Sequence, residues 1–408
     1  MIELRTGRVR PSPSRGGRVA GTLVVLLALG PCAGQPDRSW NDAFTLASGW
    51  NAGDIGHSLD LGDGRTLWLF GDSIVGPVRD GARVAGESKM VRGAIAWHET
   101  PPRGAVPEQV AFAVPDPGLG VPVAPWLRPE AAMWPPDSWY WFMNDGATIT
   151  DAGGERRLIL FTTAIGPSGN PEGMWNFRRL GGAILSIENP GDDPPDWRAA
   201  QRANPLVTDT PRFDEPARPS TNWALAIVAW PPEAPPSLRT LFVYGLRSGG
   251  PAESSLLVAR CAESHLADTR AWTFFDGAGW TDDSGAAAPI ATGLVDEFTI
   301  QPVRRGERDE LVLVQSEPML GLRILARTAP APEGPWSEPV PIYDVPEPAA
   351  ADGLITYAAK GHAHLSPPGE LLVTYALNSA DFGQIFRDAS LYRPRFVRVP
   401  IGSLPASP

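Results

Sequence analysis

Three carboxylates stand at corresponding points of a hairpin that recurs along the chain. Asp54 and Asp145 each come 13 residues before a leucine of the apolar strand that follows, and Glu297 comes 14 residues before its own. Carboxyl groups that converge in a buried place shift each other's pKa values apart, so that one stays protonated while another is ionised. Hydrolysis of a glycosidic bond needs such a set, with one acid and one base or nucleophile. We therefore interpret these three residues as candidate catalytic groups; the alternative is that each only caps a strand or takes part in a turn.

Further polar and aromatic residues near the same strands are candidates for substrate binding. They are Asp72, Asn144, Asn222, Trp223, Lys360 and His362. Asp72 is predicted at the end of the second strand of the first copy, and the alternative is that it only supports a loop. For His362, as for His57, the alternative is a hydrogen-bonded residue of the core. His362 and His364 face the same side of a strand, but no further His or Cys ligand accompanies them, so the sequence predicts no metal site.

Aromatic residues cluster before the second copy of the hairpin, in the segment WPPDSWYWFMND with Trp134, Trp139 and Trp141. Such side chains can form a platform for a sugar ring or pack between sheets, and the sequence leaves both open. Other chemistries lack their motifs. There is no G-x-S-x-G of a serine hydrolase and no G-x-G-x-x-G that opens a helix, so no cofactor is predicted.

The recurring hairpin joins a polar strand to a strongly apolar one. Its copies begin at Gly53, Asn144, Thr221, Asp296 and Ala358. The first copy reads GDIGHSLDLGDGRTLWLFGD, and the Asp-Gly pair in its middle is typical of a two-residue hairpin turn.

A second marker advances together with the hairpins: a third strand, a polar loop and a tryptophan. These tryptophans are Trp197, Trp272 and Trp336, spaced by 75 and 64 residues, and the corresponding hairpin positions advance by the same two numbers. Repeats of this length with about four antiparallel strands each are typical of propeller blades. The sequence therefore predicts a single all-β domain over residues 40–399, a five-bladed β-propeller, with a pair of β-sandwiches as the alternative. Residues that open the inner strands are then expected near one central pocket.

The first 34 residues are typical of an export signal. Five arginines precede the apolar run VAGTLVVLLALG, which is too short to span a bilayer as an anchor. Cys32 follows this run and could carry a lipid; plain cleavage is the alternative. We expect a protein that is secreted or held in the cell envelope, that contacts a membrane only through a lipid on Cys32, and that ends in a short tail over residues 400–408.

Composition restricts the partners. Cys32 and Cys261 are the only cysteines, so the mature protein is expected to have no internal disulfide and to depend on a large core. The formal net charge of −11 disfavours nucleic acid, whose phosphates require clustered Lys and Arg. The 43 glycines and 45 prolines indicate many tight turns and disfavour long helices. We expect a monomer that binds a polysaccharide or oligosaccharide.

Several segments resemble a bacterial family of secreted five-bladed propellers, catalogued as domain of unknown function 4185, with a close relative numbered 5005. The similarity covers the chain from about Trp40 to Val399, and it is carried by GDIGHSLDLGDGRTLWLFGDS, EGPWSEP, YAAKGHAHLSPPGELLVTYALNS and LYRPRF. The group includes endo-D-arabinanases. The resemblance therefore implies a glycoside hydrolase that acts on furanose-containing polysaccharide such as arabinan.

The resemblance also implies roles for the three carboxylates. Related five-bladed glycosidases place an aspartate on the inner strand of the first blade, with a second aspartate and a glutamate on later blades. The matching residues are Asp54 as base or nucleophile, Asp145 as orienting or stabilising group, and Glu297 as general acid. In those enzymes the acid belongs to the third blade, where this chain has Asn222 and Trp223. Three other acids therefore stay open: Glu215, Glu317 and Asp381. A sugar-binding propeller without catalysis and a surface scaffold are the alternative functions.

Overall fold

The computed structural model describes residues 33–116, 120–169, 176–212, 214–215, 218–234, 239–249, 254–350 and 353–408, with the backbone alone at 349–350. These residues belong to one compact unit. Of the 34 residues of the predicted export signal, residues 1–32, which include Cys32, lie outside the described residues. Within them, no helix is both long enough and apolar enough to cross a membrane.

The described chain confirms the predicted five-bladed β-propeller, because its five main sheets are all antiparallel and follow one another along the sequence. Strand β1 (Gln35–Pro36) and helix α1 (Arg38–Ala43) precede the first blade. Blade 1 contains β2 (Trp50–Gly53), β3 (His57–Asp60) and β4 (Arg65–Val75), then a separate hairpin of β5 (Val78–Arg79) and β6 (Ala82–Arg83), and finally β7 (Lys89–Glu99) and β8 (Ala111–Ala113). Blade 2 contains β9 (Trp139–Trp141), β10 (Gly146–Thr150), β11 (Arg156–Pro167), β12 (Phe177–Ile187) and β13 (Ala199–Asn204).

The remaining blades follow the same plan. Blade 3 contains β14 (Ser220–Trp230), β15 (Thr240–Ser248), β16 (Ser254–Ala262), β17 (Thr273–Phe275), β18 (Trp280–Thr281) and β19 (Ala291–Thr292). Blade 4 contains β20 (Phe298–Arg305), β21 (Arg308–Ser316), β22 (Arg323–Ala329) and β23 (Val340–Asp344), and helix α2 (Glu347–Ala350) leads out of it. Blade 5 contains β24 (Leu354–Gly361), β25 (Glu370–Ser379), helix α3 (Gln384–Arg387) and β26 (Pro394–Pro400). Short 3-10 helices lie at Pro125–Leu127, Pro194–Asp196, Glu263–His265, Thr269–Ala271, Ser284–Ala286, Ala363–Leu365 and Ile401–Ser403.

The last blade is completed by the beginning of the described chain. Strand β1 pairs with β26, with Gln35 opposite Arg398. Asp37 strengthens this closure, because its carboxylate caps α1 and forms an ion pair with Arg398. At the other end Leu404 is buried, and Arg305 donates hydrogen bonds to the carbonyls of Leu404 and Pro405. Residues on both sides of the predicted range 40–399 therefore pack against the propeller.

Large apolar side chains fill the space between neighbouring blades. Between blades 5 and 1, Trp50 stacks on Phe112 with ring centroids 4.6 Å apart, in a cluster that also holds Trp40 and Phe396. Two tryptophans of the recurring marker are buried in comparable places, Trp197 near blades 1 and 2 and Trp272 near blades 2 and 3. Burial of aromatic surface between sheets thus accounts for much of the high tryptophan content.

The inner strands are interrupted near the centre of the propeller. Residues 54–56 separate β2 from β3, and residues 142–145 separate β9 from β10. The pairing of β14 and of β24 shifts register near Ala224 and Ala358. Ile55, Ala224 and Ala358 have φ values of 72°, 64° and 54°. Such irregularities redirect side chains, and backbone strain of this kind often lies beside functional sites.

Candidate active site

A cavity of about 650 Å³ lies where blades 1, 2, 4 and 5 meet. Its acidic lining residues are Asp54, Asp72, Asp296 and Glu297, and its aromatic ones are Trp141, Phe177, Tyr357, Phe382 and Tyr392. The other lining residues are Met90, Arg92, Met143, Asn176, Leu320, Ile355, Asn378, Ser379 and Ala380. Concave sites with apolar walls and a few polar groups are the usual form of small-molecule sites.

Asp54 is held in the wall of this cavity by its backbone and by two tyrosines. Its carbonyl accepts a hydrogen bond from the N–H of Gly71 at 3.1 Å. Its Oδ2 accepts from the hydroxyls of Tyr357 at 3.0 Å and Tyr392 at 3.2 Å. Its Oδ1 is buried and has no hydrogen-bond partner among the described residues. A buried carboxylate oxygen without a hydrogen-bond donor makes the ionised form of Asp54 less favourable.

The surroundings of Asp54 work against its ionisation. Only 6% of the residue is exposed. Burial, followed by the negative charges of Asp72 and Glu297, raises the pKa of Asp54 well above its usual value, while the hydroxyls of Tyr357 and Tyr392 act in the opposite direction. The ionised forms of Asp72 and Glu297 therefore disfavour ionisation of Asp54.

Asp72 lies inside β4, three residues before its end, and not at the end of the strand as the sequence predicted. It stands opposite Arg92 of β7, which donates a 2.5 Å hydrogen bond to its Oδ2. The Arg92 guanidinium also lies 4.4 Å from the centroid of the Trp139 ring. Burial raises the pKa of Asp72 and the charge of Arg92 opposes the rise, while its Oδ1 is buried without a partner in the described chain.

Glu297 comes directly before β20 and is coupled to Lys360. Burial raises the pKa of Glu297 to about 7, against the lowering influence of the positive charge of Lys360. The ammonium of Lys360 is fully buried and donates a 3.0 Å hydrogen bond to the carbonyl of Phe298, and burial lowers its pKa to about 8. A carboxyl group with such a pKa holds a proton in a large fraction of molecules at neutral pH. Lys360, predicted to bind substrate, is not among the described lining residues and acts on the cavity through Glu297.

Asp145 does not reach this cavity, contrary to the predicted convergence of three carboxylates. Its Oδ1 accepts hydrogen bonds from His57 Nε2 at 2.9 Å and from the N–H of Gly146 at 2.7 Å. Its Oδ2 accepts from the N–H of Ile227 at 2.8 Å. The break between β9 and β10 turns this side chain toward buried donors of blades 1 and 3. Asp145 thus joins three blades.

Asn144, Asn222 and Trp223 are likewise outside the described lining, although each was predicted to bind substrate. Asn144 accepts a hydrogen bond from Thr163 and donates one to Oδ1 of Asn222 at 3.1 Å. Trp223 is 1% exposed and packs edge-on against Phe274 in the core between blades. The amides satisfy each other in the interior, and the indole contributes to packing.

His362, which was also predicted to bind substrate, is a buried core residue outside the described lining of the cavity. Its ring nitrogens bond Ser58 at 2.6 Å and Thr374 at 2.8 Å, and its ring lies 4.9 Å from that of Trp68. Burial lowers the pKa of His362 well below its usual value. Nowhere in the described ranges do three or more His, Cys, Asp or Glu side chains form a group that could hold a metal ion.

Of the three tryptophans in the predicted cluster, one lines the cavity, and the alternative acids lie outside its described lining. Trp141 lines the cavity and meets Phe177 edge-on with ring centroids 4.5 Å apart. Trp139 is covered by Arg92, and Trp134 lies against Tyr140. The alternative acids are absent from the described lining, and each is paired with an arginine: Glu215 with Arg218, Glu317 with Arg323, and Asp381 with Arg387.

Two tyrosines of the cavity were missed by reasoning from the sequence. Tyr357 comes three residues before Lys360, just ahead of the fifth hairpin, and Asn378 donates a 3.0 Å hydrogen bond to its hydroxyl. Tyr392 lies in LYRPRF, a segment that carried the family resemblance. Its position in this motif could have indicated a functional residue, but the sequence gives no sign of its contact with Asp54, which is 338 residues away.

The chain matches the family model described as domain of unknown function DUF5005 over residues 37–401, and it belongs to this family. No curated protein matches it. Among solved structures it is similar to a "putative hydrolase" from Bacteroides ovatus, with 20% identity, 90% of both chains covered and a TM-score of 0.62. It is also similar to a GH43_1 enzyme from Xanthomonas citri, with 12% identity, 90% of both chains covered and a TM-score of 0.43. It is similar as well to an exo-β-1,3-galactanase from Phanerochaete chrysosporium, with 8% identity and a TM-score of 0.44; the match covers 89% of this chain and 66% of the galactanase chain. At these identities the similarity concerns the fold alone.

Proposed function

We propose that this protein is a glycoside hydrolase that acts outside the cytoplasm on a furanose-containing polysaccharide of the arabinan type. One observation carries the proposal. Asp54 and Glu297 line the same cavity, and burial raises the pKa of both. The hydroxyls of Tyr357 and Tyr392 favour the ionised form of Asp54, whereas Glu297, with a pKa of about 7, holds a proton in a large fraction of molecules at neutral pH. Two carboxyl groups in different protonation states are what hydrolysis of a glycosidic bond requires.

In the proposed reaction Glu297 is the general acid. It gives its proton to the glycosidic oxygen as the bond from that oxygen to the anomeric carbon breaks. While Glu297 is protonated, one of the charges that oppose ionisation of Asp54 is absent. The ionised carboxylate of Asp54 acts in the same reaction, either by bonding to the anomeric carbon or by taking a proton from the attacking water.

Asp72 takes the supporting role that the sequence had assigned to Asp145. It lines the cavity, and its charge acts on Asp54. Arg92 holds its Oδ2 in place by a hydrogen bond. Trp141 and Phe177 form an aromatic wall on which a sugar ring could stack.

The substrate class and the place of action rest on the sequence. The preference for arabinan, and the relation to domain of unknown function 4185, come from the motifs that resemble endo-D-arabinanases. The extracytoplasmic location comes from the predicted export signal, with a lipid on Cys32 as one form of it. The cavity supports a carbohydrate substrate in general, because it combines carboxyl groups with aromatic walls.

The test is incubation of the full chain with arabinan, fructan and xylan, measuring new reducing ends. Asp54→Asn and Glu297→Gln should remove activity. Asp60→Asn is the matched control, because Asp60 is exposed at the other end of β3 and its replacement still accepts the hydrogen bond from Gly62. The proposal is supported if the wild type and Asp60→Asn form products and neither Asp54→Asn nor Glu297→Gln does.

Two results would count against it. Equal binding of a glycan by wild type and Asp54→Asn, without products from either, would indicate a sugar-binding propeller. Products from xylan but not from arabinan would exclude the proposed substrate class while leaving the proposed reaction standing.

A further inference from the structure

The exposed large apolar side chains of the described chain are concentrated beside the cavity. They are Met319, Leu320, Leu322 and Phe382, and Met319 is 81% exposed. The first three belong to the loop between β21 and β22, and Phe382 lies between β25 and α3. Leu320 and Phe382 also line the cavity. Exposed apolar side chains that continue into a cavity are typical of a surface that binds an apolar partner.

The backbone of the first loop is strained at the same residues. Met319 and Leu320 are adjacent and have φ values of 61° and 57°. Bulky residues are strained in this left-handed conformation, and Asn or Gly would adopt it with less strain. Stability therefore accounts neither for the residue types at this turn nor for their exposure.

Both loops are ordered by local bonds. In the first, the N–H of Glu317 bonds the carbonyl of Arg323 at 2.8 Å, and the two side chains form an ion pair. In the second, Phe382 packs on Phe386 with ring centroids 5.9 Å apart, and Asp381 pairs with Arg387. The apolar side chains are thus presented in a fixed arrangement, which lowers the entropy lost when a ligand binds.

The chemistry of these side chains restricts the ligand. Leu320 and Met319 offer no donor or acceptor suited to the hydroxyls of a sugar, and hydroxyls buried against them would lose their hydrogen bonds to water. Apolar atoms would gain from the same contact. Met90, Met143 and Ile355 add further apolar lining to the cavity.

We propose that Met319, Leu320 and Phe382 bind an apolar substituent of the substrate, an alkyl, acyl or aryl group joined to the sugar, at the mouth of the cavity. The inference rests on the proposed function, because it adds a substituent to a glycan substrate. The sugar would lie against Asp54 and Glu297, and its substituent would extend toward blades 4 and 5.

The test measures the dissociation constants of methyl, butyl and hexyl glycosides for the full chain by calorimetry, in one series of arabinofuranosides and one of glucopyranosides. Wild type should bind the hexyl compounds at least roughly 10-fold more tightly than the methyl compounds, since burial of two methylene groups is enough for this gain. The gain should appear in whichever series binds. It would persist if no compound were hydrolysed, so failure of the proposed reaction and failure of this inference are distinguishable.

Variants separate binding from folding. The double variant Met319→Asn/Leu320→Gly should lose the dependence on alkyl length, while its unfolding midpoint should not fall, because both new residues tolerate the left-handed backbone. Phe382→Ser should reduce the dependence. Leu322→Ser is the matched control, since Leu322 is exposed in the same loop but is absent from the described lining of the cavity.

Three outcomes would overturn the inference. The first is equal affinity of wild type for methyl and hexyl glycosides. The second is an equal loss of the length dependence in Leu322→Ser and the double variant. The third is concentration-dependent dimerisation of wild type that the double variant abolishes, which would identify the loop as an interface between copies of the chain.

Discussion

Asp54 and Asp145 occupy corresponding points of neighbouring inner strands, yet their replacement should have opposite consequences. The carboxylate of Asp145 accepts hydrogen bonds from His57 Nε2 and from the N–H groups of Gly146 and Ile227. Asp145→Ala would leave these three donors, two buried and one partly buried, without this acceptor. Asp54→Asn keeps an oxygen that can accept from the tyrosine hydroxyls and removes a charge that its surroundings disfavour.

The hydrogen bonds lost in Asp145→Ala determine how far the free energies of unfolding of the two variants should differ. A buried donor without a partner costs about 1–3 kcal/mol, and three adjacent losses do not add fully, so Asp145→Ala should lower the free energy of unfolding by roughly 3–5 kcal/mol. Most domains have only about 5–15 kcal/mol in total. For Asp54 the sign is reversed. Its pKa is higher in the folded state than in the unfolded one, so its ionisation reduces stability as pH rises above the unfolded value. At neutral pH, Asp54→Asn should therefore leave stability unchanged or increase it.

Urea unfolding followed by tryptophan fluorescence, with Asp60→Asn as control, measures both effects. We expect a much lower midpoint for Asp145→Ala at an unchanged slope, and a midpoint at or above that of wild type for Asp54→Asn. Activity should be lost in Asp54→Asn although it is folded. A wild-type midpoint for Asp145→Ala, or an equal fall in both variants, would refute the assignment of Asp145 to the structure and of Asp54 to the reaction.

Three further substitutions address the electrostatics and space around Asp54. Tyr392→Phe removes a hydroxyl that stabilises the ionised Asp54, so the pKa of this carboxyl group should rise further; an unchanged carbon-13 NMR titration would contradict this. Lys360→Met removes the charge that lowers the pKa of Glu297, so the alkaline limb of the pH–rate profile, expected near pH 7, should move to higher pH, and movement to lower pH would exclude Glu297 as the acid. Gly71→Ala places a methyl group against Oδ1 of Asp54 and should displace this carboxyl group, so activity should fall with a stability loss of about 1–3 kcal/mol, and full activity would show that the reaction does not depend on the position of Asp54.

The arrangement of blades was predictable because it depends on local patterns repeated along the chain. Alternation of polar and apolar residues specifies strands, and Asp63-Gly64 specifies a tight turn, whatever the rest of the molecule does. Trp197, Trp272 and Trp336 advance in step with the hairpins because one packing unit is used repeatedly, and each indole must reach the space beside its sheet. The sequence also identified Asp54, Asp72 and Glu297, which line the cavity.

Only the tertiary structure decided how these carboxylates are surrounded. The inner strands are irregular at the centre, so equivalent positions do not point the same way: Asp54 meets Tyr357 and Tyr392, whereas Asp145 turns to donors of other blades. Tyr392 reaches Asp54 because closure of the ring brings the last blade beside the first. Protonation depends on burial and on charges from distant segments, which no local pattern contains, so the raised pKa of Glu297 and the buried hydrogen bonds of Asp145 follow from the folded chain.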